Sequence, residues 1–162
     1  MFEFHLEIAD IVLRLGLAAL LGSAIGLDRE IRARPAGLRT HTMTALAAAL
    51  FTILTIELHA EFAAAAEQAV NADPLRVIEA ITAGVAFLAA GAIINSRGKV
   101  QGLTTGAAMW LAGAVGLSCG AGLFVIALIA MVLGLVVLTA LMPLERLVMQ
   151  RLRVPDDYGA DG

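Results

Sequence analysis

Four ionisable side chains lie inside or at the ends of strongly apolar stretches, where charge is costly and usually functional. They are Asp10, Arg14, Glu57 and Glu79. Asp10 and Arg14 are four residues apart, so they share one face of a helix and can form an ion pair. Glu79 is the expected second partner of Arg14. Two interpretations stay open: an ion-pair cluster that locks helices together, and a cation or proton site made by three carboxylates around one arginine.

The composition indicates the environment in which these groups must be positioned. Of the 162 residues, 60% are apolar and 15% are charged, whereas soluble domains have about 45–50% and 25%. One soluble core of this size cannot bury that excess. The first residues, MFEFHLEIAD, lack the basic start of a signal peptide, so the first apolar segment is expected to stay in the membrane. The sequence predicts an all-α, multi-pass membrane protein.

Five apolar segments are long enough to cross a bilayer. The stretch 100–144 contains no charged residue and no histidine, and as one helix it would be about twice as long as the hydrocarbon core is thick. It must therefore fold back, and Gly120-Ala121-Gly122 is the expected turn. Asp73 and Pro74 are typical of a helix start, and Pro143 is taken as a helix end. The predicted spans are 8–27, 38–58, 74–95, 102–119 and 123–142, in a membrane domain of residues 1–145 that is followed by an amphipathic and acidic tail at 146–162.

The basic residues predict the orientation of these spans. All of them except Arg14 and Arg76 lie in the tail or in and beside the loops 28–37 and 96–101. These three segments fall on one side of the membrane if there are five spans. By the positive-inside rule, the N-terminus is then outside and the C-terminal tail is in the cytoplasm.

Small residues predict where helices approach one another closely. The third span carries Gly84 and Gly91 among alanines, whereas the fifth is almost wholly large and apolar and is expected to face lipid. Packing within one chain is the simpler interpretation of these spacings, and a homo-oligomer is the alternative. The glycines expected at helix contacts in the first and fourth spans are Gly22, Gly26, Gly113, Gly116 and Gly120.

Other residue types argue against most catalytic and binding classes. The net charge is −3 and there is no basic block, which argues against nucleic-acid binding. The one cysteine, Cys119, cannot form an intramolecular disulfide or a multi-thiolate metal site. The three histidines are scattered, and no known catalytic motif is present. We therefore predict neither an enzyme nor a cofactor. Magnesium is considered only as an ion that the carboxylates described above would bind.

Four motifs follow one another between residues 14 and 145, and they resemble those of the MgtC/SapB family of bacterial inner-membrane proteins. The first joins Gly26-Leu27-Asp28-Arg29-Glu30 to Pro35-Ala36-Gly37-Leu38-Arg39-Thr40-His41. Ala86 and Ala89 stand where glycine is more usual in the family, and Asp28 where glutamate is. The residues that match the motifs are Asp28, Arg29, Glu30, Arg39, His41, Asp73, Gly84, Gly91, Asn95, Gly102, Thr104, Thr105 and Trp110.

The resemblance implies a plasma-membrane protein connected with growth at low magnesium and, in pathogens, with survival inside macrophages. Such proteins resemble modulators of other membrane proteins, including the proton-translocating ATP synthase. The best-studied members carry a soluble ACT-like domain after the membrane domain, and this sequence is expected to be a short form without it.

Two functions stay open at this stage. One is a modulator that binds other membrane proteins through helix contacts and presents its basic loops to an inner-face partner or an anionic lipid headgroup. The other is an oligomeric channel or transporter for magnesium or protons. It would use Asp10, Glu57 and Glu79 on the outer side. Asn95, Thr104 and Thr105 would serve near the inner side.

Overall fold

The computed structural model describes residues 5–65, 75–96 and 99–152. This part of the chain forms five helices, each long and apolar enough to cross a membrane, as predicted. The protein is thus a multi-pass helical membrane protein. The helices are α1 (Ile8–Ile31), α2 (Leu38–Ala65), α3 (Leu75–Ala92), α4 (Leu103–Gly120) and α5 (Phe124–Leu152).

The connection between α3 and α4 differs from the prediction. The third helix was expected to reach residue 95, but it ends at Ala92, and a short antiparallel hairpin follows. Its strands are β1 (Ile94–Ser96) and β2 (Lys99–Gln101), and Asn95 pairs with Val100. Gly102 then begins the next helix with φ +84, and a Cβ atom there would collide with the Ala92 carbonyl oxygen. The backbone reverses too tightly after Ala92 for helix α3 to continue. Only glycine suits position 102, where this connection ends.

Pro143 does not end the last helix, because α5 continues to Leu152. A proline inside a helix removes one backbone N–H donor and usually bends or breaks the helix. Membrane-spanning helices tolerate it because their neighbours and side-chain hydroxyls satisfy the freed backbone groups. The start predicted at Asp73 and Pro74, and the tail beyond residue 152, lie outside the described residues.

Helix α4 occupies the centre of the bundle and contacts all four other helices. Glycines allow this close packing, and the five predicted contact glycines all lie at helix contacts. A Cβ atom at Gly120 would lie 2.6 Å from the Ala49 carbonyl oxygen, and one at Gly116 would collide with the Ala45 carbonyl oxygen. On the α3 side, a Cβ at Gly113 would lie 2.8 Å from Val85 Cγ2. Gly22 and Gly26 make equally close approaches between α1 and the first turns of α2.

The two ends of the bundle differ in their polar residues. The Arg29 end is formed by the last turn of α1, the first turns of α2 and α4, and the hairpin; the Glu57 end is opposite. At the Glu57 end, α4 stops at the predicted glycines. The Gly122 N–H donates to the Cys119 carbonyl at 3.0 Å and the Leu123 N–H to the Ser118 carbonyl at 2.8 Å, with Gly122 at φ +76. This is a Schellman motif, which satisfies the last carbonyls of a helix.

We expect Gly116→Ala to destabilise the fold, because its methyl group has no room beside the Ala45 carbonyl. Overpacking of this kind costs about 1–3 kcal/mol. Gly84→Ala is the matched control, because a Cβ at Gly84 would meet nothing within 4 Å. Thermal unfolding in detergent micelles should show a lower Tm for the first variant only. Equal Tm values for both variants would contradict the described α2–α4 contact.

Candidate functional site

The predicted carboxylate cluster at the Glu57 end is not formed. Arg14 Nη1 donates to the Gly120 carbonyl at 2.7 Å, and Glu57 accepts the N–H groups of His5 and Leu6 at 2.7 and 2.8 Å. Asp10 and Glu79 are exposed. In residues 5–65, 75–96 and 99–152, no three His, Cys, Asp or Glu side chains come together as metal ligands.

Backbone groups explain this outcome. The last carbonyls of α4 and the N–H groups just before α1 lack partners within their own helices. Arg14 supplies a donor to the first set, and Glu57, which is only 6% exposed, supplies an acceptor to the second. The sequence places these residues inside or at the ends of apolar stretches, but it could not show that backbone atoms would be their partners.

The motif residues concentrate instead at the Arg29 end. Arg29 is 1% exposed, and its Nη2 donates to Thr105 Oγ1 at 2.7 Å. Thr105 is equally buried, in the first turn of α4. A buried hydrogen bond to a charged group is among the stronger ones in proteins. It ties the end of α1 to the start of the central helix.

The loop between α1 and α2 is held by two further motif residues. The Glu30 carboxylate accepts the Leu38 N–H at 3.0 Å and occupies the space that a Cβ at Gly37 would need. His41 is fully buried, and its Nδ1 lies 2.9 Å from the Gly37 carbonyl oxygen. A carbonyl oxygen only accepts, so Nδ1 is the protonated nitrogen. Glycine at 37 therefore lets the Glu30 carboxylate lie against the loop backbone, and a larger residue there would displace this side chain.

The other motif residues differ in whether they belong to the group of polar residues around Arg29. Asp28 forms an ion pair with Arg32 at 2.8 Å. The exposed motif residues Arg39 and Trp110 do not enter the buried cluster, and Thr104 is part-exposed. Arg34, which did not match a motif, has a buried Nε, and with Asp28, Arg29 and His41 it makes up the buried polar cluster at this end. The one sequence signal for Arg34 is its position in the loop after Arg29. By itself, that position indicates only the orientation of the helices in the membrane.

Helix α3 provides a second feature of interest. It buries one row of residues, Ile81, Val85 and Ala89. Gly84 and Gly91 lie outside that row, and a Cβ at either would meet nothing within 4 Å. Between α2 and α3 there is an open, mainly apolar groove of about 620 Å³. Its lining includes Ala47, Ala48, Phe51, Ala80 and Gly84.

Fold and site together define a multi-pass membrane protein with a buried polar cluster at one end of its bundle. The model of the MgtC family matches residues 15–147. The chain therefore belongs to the MgtC family.

Three relatives illustrate the similarity. A Synechocystis sp. protein is 39% identical over 86% of this chain and 56% of its own length. MgtC of Brucella abortus is 39% identical over 78% of this chain and 49% of its own length. YhiD of Escherichia coli K12, whose name proposes a magnesium transporter, is 35% identical over 80% and 60%. The chain thus spans about half the length of these relatives. No solved structure matches it.

We expect Thr105→Val to destabilise the protein, because it leaves the Arg29 guanidinium without its hydroxyl acceptor. Losing a hydrogen bond to a buried charge costs about 1.5–3 kcal/mol. Thr104→Val, at the neighbouring part-exposed position, is the control. Unfolding by denaturant in mixed micelles measures both variants. If Thr104→Val were as destabilising as Thr105→Val, the bond between α1 and α4 would not be the cause.

Proposed function

We propose that this protein modulates another membrane protein by binding one of its transmembrane helices in the groove between α2 and α3. The observation that carries the proposal is the incomplete packing of α3. One row of its residues is buried, whereas Gly84 and Gly91 are open on its other faces. Small residues in a membrane-spanning helix usually allow a second helix to approach closely. Within the described residues, that second helix is missing at Gly84 and Gly91.

The shape of the groove suits a helix. Its α2 side runs from Thr44 to Leu58, which is about 20 Å at the rise of an α-helix. The alanines and Gly84 on its walls let a helix backbone come close, and dispersion contacts then favour association. A lipid chain can also fill an apolar groove, but it gains nothing from small residues there. A helix is therefore the occupant that we propose.

One charged residue, Arg76, makes the two ends of the groove differ in charge. Arg76 lies at the mouth of the groove near the Glu57 end and is exposed. A carboxylate at the matching level of the partner helix would pair with it, whereas a second arginine there would be repelled. The proposed partner is thus a transmembrane helix with small residues and an acidic group near one end.

A magnesium transporter is the second candidate, because the name of the E. coli relative proposes that activity for that protein. Little in this bundle supports it. The buried charged side chains of the described residues, Arg29 and Glu57, lie at opposite ends. The carboxylates expected to form a cation site are dispersed, and Glu79 is exposed.

A photoreactive amino acid at Gly84 should crosslink to a transmembrane segment of a different protein in native membranes. The same group at Val136, an exposed position of α5, is the control and should label lipid. Sequencing of the crosslinked peptide is the measurement. Lipid adducts alone at both positions would contradict the proposal. A crosslink to a second copy of this chain would replace the partner helix by self-association.

Purified protein in proteoliposomes should not carry magnesium above the protein-free rate, because the described bundle has no cluster of carboxylates. A fluorescent magnesium indicator inside the vesicles measures uptake. Glu79→Gln and Glu61→Gln are the variants to compare, since both glutamates are exposed near the same end. Uptake by the wild type that is lost only in Glu79→Gln would contradict the modulator proposal and favour the transporter.

A further inference from the structure

Four buried polar atoms at the Arg29 end have no hydrogen-bond partner within the described part of the chain. They are Asp28 Oδ2, Arg29 Nε, Arg34 Nε and His41 Nε2. Buried polar atoms in native proteins are nearly always bonded, and each exception calls for an explanation. Arg29 and His41 are 1% and 0% exposed, so bulk solvent does not reach these side chains.

These atoms belong to one cluster. Arg29 lies close enough to Asp28, Arg32 and Arg34 for their charges to interact, and close enough to His41 for its charge to act there. Asp28 and Arg34 are part-exposed, whereas Arg29 and His41 are buried. The cluster therefore combines side chains that reach the protein surface with side chains that do not.

The charges of the cluster do not balance. Within the described residues, the charged side chains that act on Arg29 are Arg32, Arg34 and one carboxylate, Asp28, which already pairs with Arg32. Glu30 is exposed and accepts the Leu38 N–H. The partner of Arg29 is the neutral hydroxyl of Thr105. A buried cation that shares its nearby carboxylate with other arginines is incompletely neutralised, so this site favours an added negative group.

The helix ends around Arg29 strengthen this preference. Thr105 lies in the first turn of α4 and His41 in the first turn of α2, so both helices present their positive ends to the cluster. The negative end of α1 lies at the same place, but it is weakened because the Asp28, Arg29 and Glu30 carbonyls accept backbone N–H groups from residues 32–34. Helix starts of this kind bind anions readily.

We propose that this cluster binds a phosphate oxyanion that carries a hydroxyl group beside it. The Nε–H groups of Arg29 and Arg34 are donors for phosphate oxygens, in the manner usual for arginine. Asp28 Oδ2 and neutral His41 Nε2 are acceptors, and the hydroxyl donates its hydrogen to one of them. Two sources share this chemistry: a glycerol-phosphate lipid headgroup and free hydrogen phosphate. The cluster lies at the ends of membrane-spanning helices, where headgroups are found.

Thermal unfolding in nanodiscs tests the proposal with the intact chain. We compare discs of pure phosphatidylcholine, the same discs with added inorganic phosphate, and discs containing some phosphatidylglycerol. Phosphatidylglycerol should raise the Tm of the wild type. Titration with phosphatidylglycerol should show about tenfold weaker binding to Arg34→Gln than to the wild type, the loss expected for one charge-assisted hydrogen bond. Arg39→Gln removes an exposed arginine at the same end and should bind like the wild type.

Each outcome has one meaning. Stabilisation by phosphatidylglycerol that depends on Arg34 but not Arg39 supports a lipid headgroup, and stabilisation by inorganic phosphate with the same dependence supports a soluble ligand. Equal effects of both variants would show general attraction to anionic lipid and would overturn the site. No stabilisation by either ligand would overturn it as well. The Tm of Arg34→Gln in discs of pure phosphatidylcholine shows whether the fold of this variant is intact. We expect an intact fold because the Arg34 side chain is part-exposed.

Discussion

The backbone contact between α4 and α2 is the constraint on which the rest of the bundle depends. At Gly116 and Gly120, α4 approaches the Ala45 and Ala49 carbonyls so closely that no side chain fits between them. Helices in a membrane gain little from the hydrophobic effect when they associate, so packing of this kind must hold them together. Because α4 is fixed in the centre, its two ends come within reach of α1. Arg14 then contacts one end and Arg29 the other.

This arrangement separates the closely packed part of the bundle from the part with open surface. Helices α1, α2 and α4 share most of the close contacts, and each has polar bonds at its ends. Helix α3 adds one buried row to that core and keeps Gly84 and Gly91 open. The groove beside it and the cluster at the Arg29 end are therefore two separate surfaces. We propose the groove as a site for a helix in the membrane and the cluster as a site for an anionic group at the membrane surface.

Sequence alone could predict the features that depend on local chemistry. The number of helices followed from apolar length, and the turn at Gly120 followed from its glycines. The resemblance to the family directed attention to Asp28, Arg29, Glu30, His41 and Thr105, which lie at the same end of the bundle. Other features depend on tertiary contacts that one sequence does not reveal. Arg14 and Glu57 are bound to backbone groups, the hairpin ends α3 early, and α5 continues through Pro143.

In our proposal, the open face of α3 carries the activity. Growth at low magnesium, the property that the family resemblance implies, tests it in a strain that lacks its own copy of the gene. Gly84→Phe fills the groove, whereas Val125→Phe adds the same bulk at a 72% exposed position of α5. We expect both variants to reach the membrane with wild-type stability, and only Gly84→Phe to fail to restore growth. Full growth with Gly84→Phe would contradict it.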